Sequence, residues 1–328
     1  MRNYIIKRIL LSILILFCST FIIYAILRCL PASYVETMAM QLSTAPGAKS
    51  YDEWIAQLNA SYGLDKGIIL GYLTWLSDFA RGNFGDSWKF TVPVIEKFHD
   101  VIWLSFIMGA IAFVFEIIIA IPLGIIAATK QYSKADYAIT AGALVGISLP
   151  TFFFATLLKL VFAVKLKWFD VSGRVGRNYA QLDSMGQFWD KAHHLVLPII
   201  VLVIVSIGSL MRYTRTNMLE VLNADYIRTA RAKGLSEHKV IYKHAFRNTL
   251  IPLVTIIGGS LPGLFSGALI TETLFSIPGI GFTSYQAMVI GDIPFSMFYM
   301  TFLAVLTLAG NLITDIMYAV VDPRVRIA

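Results

Sequence analysis

Six long apolar runs constrain this chain more than any other feature of its sequence. Each run is long enough to cross about 30 Å of hydrocarbon as a helix. The composition agrees, because 57% of the residues are hydrophobic and only 14% are charged, whereas a soluble domain carries about 25% charged residues. The sequence therefore predicts an all-α integral membrane protein with six transmembrane helices, at about 9–30, 101–128, 138–163, 195–213, 250–275 and 294–320.

The distribution of basic residues predicts the orientation of these helices. Eight lysines and arginines lie between Arg212 and Arg247, whereas the connection 276–293 has none. Basic residues collect on the cytoplasmic side of membranes, so both termini are expected there. The first apolar run follows a short basic segment and is longer than the apolar core of a signal peptide. We therefore expect it to be a membrane anchor that is not cleaved off.

Three regions follow from this topology. Residues 1–30 form the N-terminus and first span, 31–100 an extracytoplasmic loop, and 101–328 a five-span core with a cytoplasmic segment at about 214–249. The loop contains three tryptophans among polar residues. A disordered linker has few aromatic residues, so the loop is expected to form a small cap.

The cytoplasmic segment carries the signals of two short helices separated by a turn. Asn223 is a candidate N-cap for the first helix, and Gly234 suits the left-handed position just past a helix end. Ser236 is a candidate cap for the second helix, and Pro252 is expected to bend that helix where it enters the fifth span.

Three interpretations of this basic segment follow from composition alone. It can dock in a groove of a partner protein, because Ala230 and Ala232 keep the first helix slim. It can instead lie on anionic lipid, or form a solvated loop with helical tendency. Nucleic acid is disfavoured as a partner, because the segment is short and adjoins the membrane.

The run DYIRTARAKGL at 225–235 resembles the cytoplasmic EAA loop of ABC-importer permeases of the peptide/nickel group. Where that group often has a Leu-Pro-Gly-Asp-Pro run after the first span, this chain reads LPAS at 30–33. Other runs resemble the "B" subunit of oligopeptide and dipeptide transporters in the same order: YIIKRIL from Tyr4, GLD from Gly63, GNFGDS from Gly82, HLVLP from His194, MLEVL from Met218, TETLFSIPGIG from Thr271 and DPR from Asp322.

The resemblance implies a multi-pass permease of the bacterial cytoplasmic membrane that forms half of a translocation pathway for peptides. The implied partners are a second homologous permease, two cytoplasmic ATPases and an extracytoplasmic binding protein. ATP and Mg would be bound by the ATPases, and no cofactor by this chain. The residues that the resemblance assigns to ATPase coupling are Tyr226, Thr229, Ala230, Arg231, Ala232, Lys233, Gly234 and Leu235.

The residues themselves also argue against catalysis in this chain. It contains no phosphate-binding loop of the G-x-x-x-x-G-K-[ST] type, and no zinc-protease or hydrolase motif. His193 and His194 adjoin without a neighbouring cysteine or acidic ligand pattern, so we expect no metal site and interpret them as interfacial residues.

Three acidic residues are candidates for the translocation path. Glu116 lies near the middle of the second apolar run, Glu272 lies in the TETLFSIPGIG run, and Asp315 lies in the sixth. An acid within a membrane usually faces a bundle interior or a wet cavity, so Glu116 either lines the path or makes a helix contact. Asp315 is also a candidate for a clamp with Arg212 or Arg215.

Pro278, Gly279 and Gly281 lie between the fifth and sixth apolar runs. The flexible backbone of the two glycines and the restricted backbone of the proline permit a tight turn. This turn is either an outer gate or a surface turn. Irregular backbone at membrane depth requires cover from protein or water.

Two other functions remain open from the sequence. A permease of the same group can carry nickel chelates or other small solutes. A stand-alone secondary carrier is the other alternative, but it predicts inverted repeats and charge relays, and the sequence contains no convincing example of either.

Overall fold

The computed structural model describes residues 2–29, 34–44 and 48–321, with side chains except those of 2–5, 251 and 314–321. Within these ranges the regular structure is helical, which confirms the predicted all-α class. The helices are α1 (Arg2–Cys29), α2 (Tyr34–Ser43), α3 (Tyr51–Ser61), α4 (Ile68–Ala80), α5 (Val94–Thr129), α6 (Lys134–Ser148), α7 (Thr151–Leu158), α8 (Ser184–Leu222), α9 (Asp225–Ala232), α10 (Arg247–Ser260), α11 (Leu269–Phe275), α12 (Ile280–Val289) and α13 (Ile293–Val321).

Four tighter or wider helical segments complete this list. Two are π-helices, Lys159–Lys165 directly after α7 and Lys239–Phe246 directly before α10. The other two are 3₁₀-helices, Tyr179–Gln181 and Leu261–Phe265.

Four helices of the described chain are long and apolar enough to cross a membrane. One begins at Ile6, and the others are Val94–Thr129, Ser184–Leu222 and Ile293–Ile313. Two bent pairs also qualify when each pair is taken together, so the described residues contain four to six candidate spans.

The first bend interrupts a predicted span, whereas the second was expected from the sequence. Lys134–Ser148 and Thr151–Lys165 meet at 103°, because α6 ends just before Pro150, which cannot continue its hydrogen bonding. Lys239–Leu250 and Pro252–Phe265 meet at 50°, which confirms the expected bend at Pro252.

The predicted run 250–275 is not one continuous helix, which corrects its sequence interpretation. Helical structure ends at Phe265, and α11 begins only at Leu269. Gly267 between them has a φ of +72°, in the left-handed region that favours glycine. Apolar composition alone did not reveal this break.

Residue contacts divide the chain into two compact units, Met1–Trp103 with Ile280–Ala328, and Leu104–Gly279. In the first unit, α1 packs against α13 and α4, around the buried side chains of Tyr24, Tyr72 and Met297. The predicted division at 30 and 100 stays a prediction.

The predicted cap at 31–100 contains ordered helices in its described part. Helices α2 and α3 pack together around Val35, Ala39 and Leu58. Trp88 contacts the ring of Tyr62, with 4.6 Å between centroids. The aromatic residues therefore form packing contacts, as their number in this loop suggested.

In the second unit, α6 and α8 approach so closely that glycines are needed between them. A Cβ at Gly208 of α8 would lie 2.6 Å from the carbonyl oxygen of Ala143, and one at Gly146 of α6 would lie 2.9 Å from that of Ile204. Small residues allow such backbone contact between membrane helices.

Candidate coupling helix and translocation cavity

The segment that the resemblance assigns to ATPase coupling begins with helix α9, which follows α8 after a two-residue break. Ala224 has an extended backbone (φ −71°, ψ 149°) and is the residue that precedes the helix, without a side-chain cap. The predicted capping role of Asn223 is therefore wrong. Asn223 has helical backbone angles at the end of α8, and its Nδ2 donates a hydrogen bond to the carbonyl of Leu219 at 2.9 Å.

The end of α9 agrees with the sequence prediction. Gly234 has a φ of +74°, which confirms the left-handed glycine just past the helix. The N–H of Leu235 donates to the carbonyl of Ala230 at 3.4 Å, and the next helical turn begins at residue 237, directly after Ser236. The glycine thus reverses the chain between the two predicted helices.

One face of α9 is anchored on the chain's own helices. Ile227 is fully buried and Ala230 is 6% exposed. They belong to an apolar cluster, hereafter the anchoring cluster, and the partly buried side chain of Leu235 packs against it. The other buried members are Ile125 and Ala128 of α5, Met218 of α8, and Val240 and Ala245 of the π-helix.

The rest of the α9 surface, together with the two residues after the helix, is exposed. It presents Tyr226, which is 48% exposed, together with exposed Thr229, Arg231, Ala232, Lys233 and Gly234. Arg231 donates to both carboxylate oxygens of Glu237, at 2.8 and 3.3 Å. Both side chains are largely exposed, so the pair contributes little stability. The predicted coupling residues thus divide into an anchored set and an exposed set.

Glu116 of α5 lines a cavity of about 260 Å³ in the second unit. Ser206 of α8 and Ser260 of α10 also line this cavity. The remaining lining residues are mostly small or apolar: Ser105, Gly109, Ala112, Phe113, Leu202, Gly263, Leu264, Gly267 and Ala268.

Glu272 is buried beside that cavity rather than among its lining residues. Its side chain is 0% exposed. Oε1 accepts hydrogen bonds from the Ser105 hydroxyl at 2.7 Å and from the Ala268 N–H at 3.0 Å. Both donors line the cavity, so Glu272 supports its wall. A direct role for Glu272 in the path stays a prediction.

The predicted outer-gate residues lie around a structured turn. Gly279 is buried against Glu272 and Ser105, and Pro278 is exposed. Ser276 adopts a left-handed φ of +53°. Gly281 is buried inside α12, so the predicted loop 276–293 contains a ten-residue helix. The sequence analysis missed this helix because proline and glycines at 278–281 and Gly291 flank it and indicate a loop.

Asp315 lies in α13, and its side chain falls outside the described residues. Arg215, one of its two suggested partners, instead binds Asp136 of α6 through Nε and an Nη, at 2.8 and 2.9 Å. Asp136 also accepts hydrogen bonds from the Tyr132 N–H and the Thr140 hydroxyl. This pair joins α6 to α8. Asp136 and Arg215 are far apart in the sequence, so no local pattern predicted that they pair.

The sequence analysis also missed Asp292, which is fully buried directly before α13. Its Oδ1 accepts from the Phe295 N–H at 3.2 Å, and its Oδ2 accepts from the Ser87 hydroxyl and the Lys89 N–H. Burial lowers the pKa of the Lys89 ammonium, and the nearby Asp292 carboxylate opposes that shift. An aspartate two residues before Pro294 is a recognisable N-cap signal.

Comparison of the sequence with known proteins shows the family to which this chain belongs. Residues 120–327 match the family described as "Binding-protein-dependent transport system inner membrane component". The match covers more than half of the chain, which therefore belongs to this family and is a membrane permease subunit. Subunits of this kind are non-catalytic, and the ATPase activity lies on partner chains.

Named relatives resemble the chain over almost its whole length. It is 37% identical to the oligopeptide transport system permease protein AppB of Bacillus subtilis, covering 99% of this chain and 100% of that protein. It is 35% identical to the dipeptide transport system permease protein DppB of Escherichia coli K12, covering 99% of both. It is 34% identical to the di/tripeptide permease DppB of Pseudomonas aeruginosa, again covering 99% of both.

Proposed function

We propose that this chain is one of two homologous permease halves of an ATP-driven peptide importer in the bacterial cytoplasmic membrane. An extracytoplasmic binding protein delivers the peptide, and two cytoplasmic ATPases bind ATP and Mg and drive transport. The names of the relatives, which carry oligopeptides, dipeptides or tripeptides, support peptides as cargo.

The proposed topology has six spans with both termini in the cytoplasm, each bent pair counting as one span. The eight basic residues between Arg212 and Arg247 support a cytoplasmic position for α9. The 31–100 segment then lies outside, where a binding protein is present.

The single observation that supports coupling is the two-sided character of α9. Its buried face is fixed to α5, α8 and the π-helix through Ile227 and Ala230, whereas its other face is exposed for a partner. Movement of an ATPase seated on the exposed face is transmitted to three helices at once. ATP shifts the permease between its states only if the partner binds these states with different free energies.

The proposed path passes the cavity that Glu116 lines. A carboxylate there attracts the cationic amino group of a peptide. We expect Glu116→Gln to reduce uptake of peptides with an extra positive charge more than uptake of neutral ones. Competition transport assays with both peptide classes measure this difference, and unchanged uptake of every substrate contradicts a role in the path.

Cross-linking tests whether the exposed face of α9 binds an ATPase. Native Cys18 and Cys29 are first replaced by alanine, and a single cysteine is placed at exposed Ala232. In membranes that contain the whole transporter, a short bifunctional thiol reagent is expected to join this site to the ATPase subunit.

The matched control is Tyr132→Cys, an exposed position in the connection before α6. It lies on the same proposed side of the membrane, but outside α9. Capture of the ATPase from neither position, or equally from both, contradicts the proposed docking site.

Two alternatives remain distinguishable. If the cargo is a nickel chelate or another small solute, the binding protein encoded with this chain is expected to bind that solute instead of a peptide. A stand-alone secondary carrier predicts transport by this purified chain alone, driven by an ion gradient without ATP.

A further inference from the structure

Two adjacent histidines in α8 lie beside an aspartate from the preceding connection. Nε2 of His194 lies 3.2 Å from Oδ2 of Asp170, and Nδ1 of His193 lies 4.0 Å from the same oxygen. One ligand atom from each residue lies within 4.8 Å of the others. No local pattern predicted this neighbour, because Asp170 is distant from the histidines along the chain.

Backbone carbonyl groups hold the other nitrogen of each imidazole ring. Nε2 of His193 lies 3.0 Å from the carbonyl oxygen of Trp168, and Nδ1 of His194 lies 2.7 Å from that of Asp190. A carbonyl oxygen only accepts hydrogen bonds, so each of these nitrogens carries the proton. In the neutral ring, the remaining nitrogen is then a lone-pair donor, and in both rings it is the one nearer Asp170.

This arrangement is the one found around histidine ligands of metal ions. Such a histidine donates its second ring N–H to a carbonyl or carboxylate, which fixes its tautomer and orientation. Here two rings satisfy that condition and share one carboxylate. An imidazole lone pair and a carboxylate oxygen at 3.2 Å repel each other unless a proton or a metal cation lies between them.

We propose that Asp170, His193 and His194 bind a divalent transition-metal ion of the zinc type. Imidazole and carboxylate ligands suit such ions, and three protein ligands leave a fourth position for water. With metal–ligand distances of about 2.0–2.2 Å, tetrahedral ligands lie roughly 3.4 Å apart. The His194–Asp170 separation is already close to that value, and the His193 ring reaches it by a small shift.

The surroundings restrict the motion of the ligands while leaving access from solvent. The side chain of His194 is 2% exposed, whereas those of His193 and Asp170 are 46% and 57% exposed. The His193 ring stacks on Phe169 with 4.7 Å between centroids. A metal ion would therefore cross-link the connection around Asp170 to α8, and this inference does not depend on the transported cargo.

The test is a zinc titration of the complete purified chain in detergent, prepared without a polyhistidine tag. A fluorescent chelator competes for the ion, and we expect one zinc ion per chain. Asp170→Asn and His193→Ala are expected to weaken binding at least tenfold, because each removes one of three ligands. The control His99→Ala removes an exposed imidazole elsewhere and is expected to bind like the unsubstituted chain.

A second measurement separates ligand loss from unfolding. Zinc is expected to raise the melting temperature of the unsubstituted chain and of His99→Ala, but not that of Asp170→Asn or His193→Ala. Co²⁺ in place of zinc is expected to give the visible absorption of a tetrahedral site. The proposal is overturned if the unsubstituted chain binds zinc no more tightly than Asp170→Asn, or if His99→Ala loses binding equally.

Discussion

Gly279 is a residue whose missing side chain makes room for a buried carboxylate. A Cβ there would overlap the carboxyl group of Glu272 and the hydroxyl of Ser105. Those two groups are hydrogen-bonded to each other and cannot withdraw without breaking that bond. The turn after α11 therefore packs tightly against the wall of the cavity that Glu116 lines.

We expect Gly279→Ala to destabilise the chain, because overpacking a filled site costs about 1–3 kcal/mol. The measurement is the melting temperature of the purified protein in detergent. Gly142→Ala in α6 is the matched control, because a Cβ there meets nothing within 4 Å. An equal melting temperature for both variants contradicts the overlap.

The Asp136–Arg215 pair is a second feature at the residue scale. The aspartate side chain is 4% exposed and that of the arginine 24%. Removal of one partner leaves a charge without its main counterion, which costs about 3–5 kcal/mol at a fully buried site. Since Arg215 is partly exposed, the lower end of this range applies.

We expect Asp136→Ala and Arg215→Ala each to lower the melting temperature, and the double variant to lose less than the sum of the two. This double-mutant cycle isolates the interaction between the residues. Arg212→Ala serves as the control, since it removes an exposed arginine close by on the same helix. Strictly additive losses are the result that contradicts a direct pair.

At the scale of elements, α9 contains two alanines, two positions apart, that differ in burial. Ala230 is packed in the anchoring cluster and Ala232 is exposed. The sequence suggested that both keep the helix slim for a partner. The structure assigns Ala230 to contact with the chain's own helices, so the two positions respond differently to added bulk.

We expect Ala230→Leu to lower both the melting temperature and peptide uptake, because the larger side chain displaces α9 from its anchor. Ala232→Leu is expected to lower uptake alone, by obstructing the exposed face. Thermal unfolding of the isolated chain and ATP-dependent uptake by the whole transporter measure the two effects. A lowered melting temperature in Ala232→Leu, or none in Ala230→Leu, contradicts this division.

How far the sequence predicts these elements depends on whether the signal is local. Gly234 and Pro252 were found correctly, because a left-handed turn and a helix bend depend on the residue itself. Asn223 was a wrong cap because α8 continues to Leu222 and Ala224 is the extended residue before α9. The Asp136–Arg215 pair and the Asp170–histidine cluster require tertiary contacts that no local pattern encodes.

At the scale of the whole molecule, the proposed topology makes a prediction about accessibility. In a chain without Cys18 and Cys29, single cysteines at exposed Lys49 and Met185 are expected outside the cell, and those at exposed Tyr132 and Tyr226 inside. A membrane-impermeant thiol reagent should label the first two in intact cells, and the second two only after permeabilisation. Labelling of Tyr226→Cys in intact cells contradicts the cytoplasmic position of α9.

The backbone contact of α6 with α8 at Gly146 and Gly208 limits how the permease can change shape. Rotation of either helix about its own axis would bring side chains against the other's carbonyl oxygens at these two positions, so we expect α6 and α8 to move together. We expect any alternation between states to occur mainly where regular helical hydrogen bonding is already interrupted. The bends at Leu149–Pro150 and at Pro252 are such positions. We expect substitutions that stiffen either bend to stop the transport cycle.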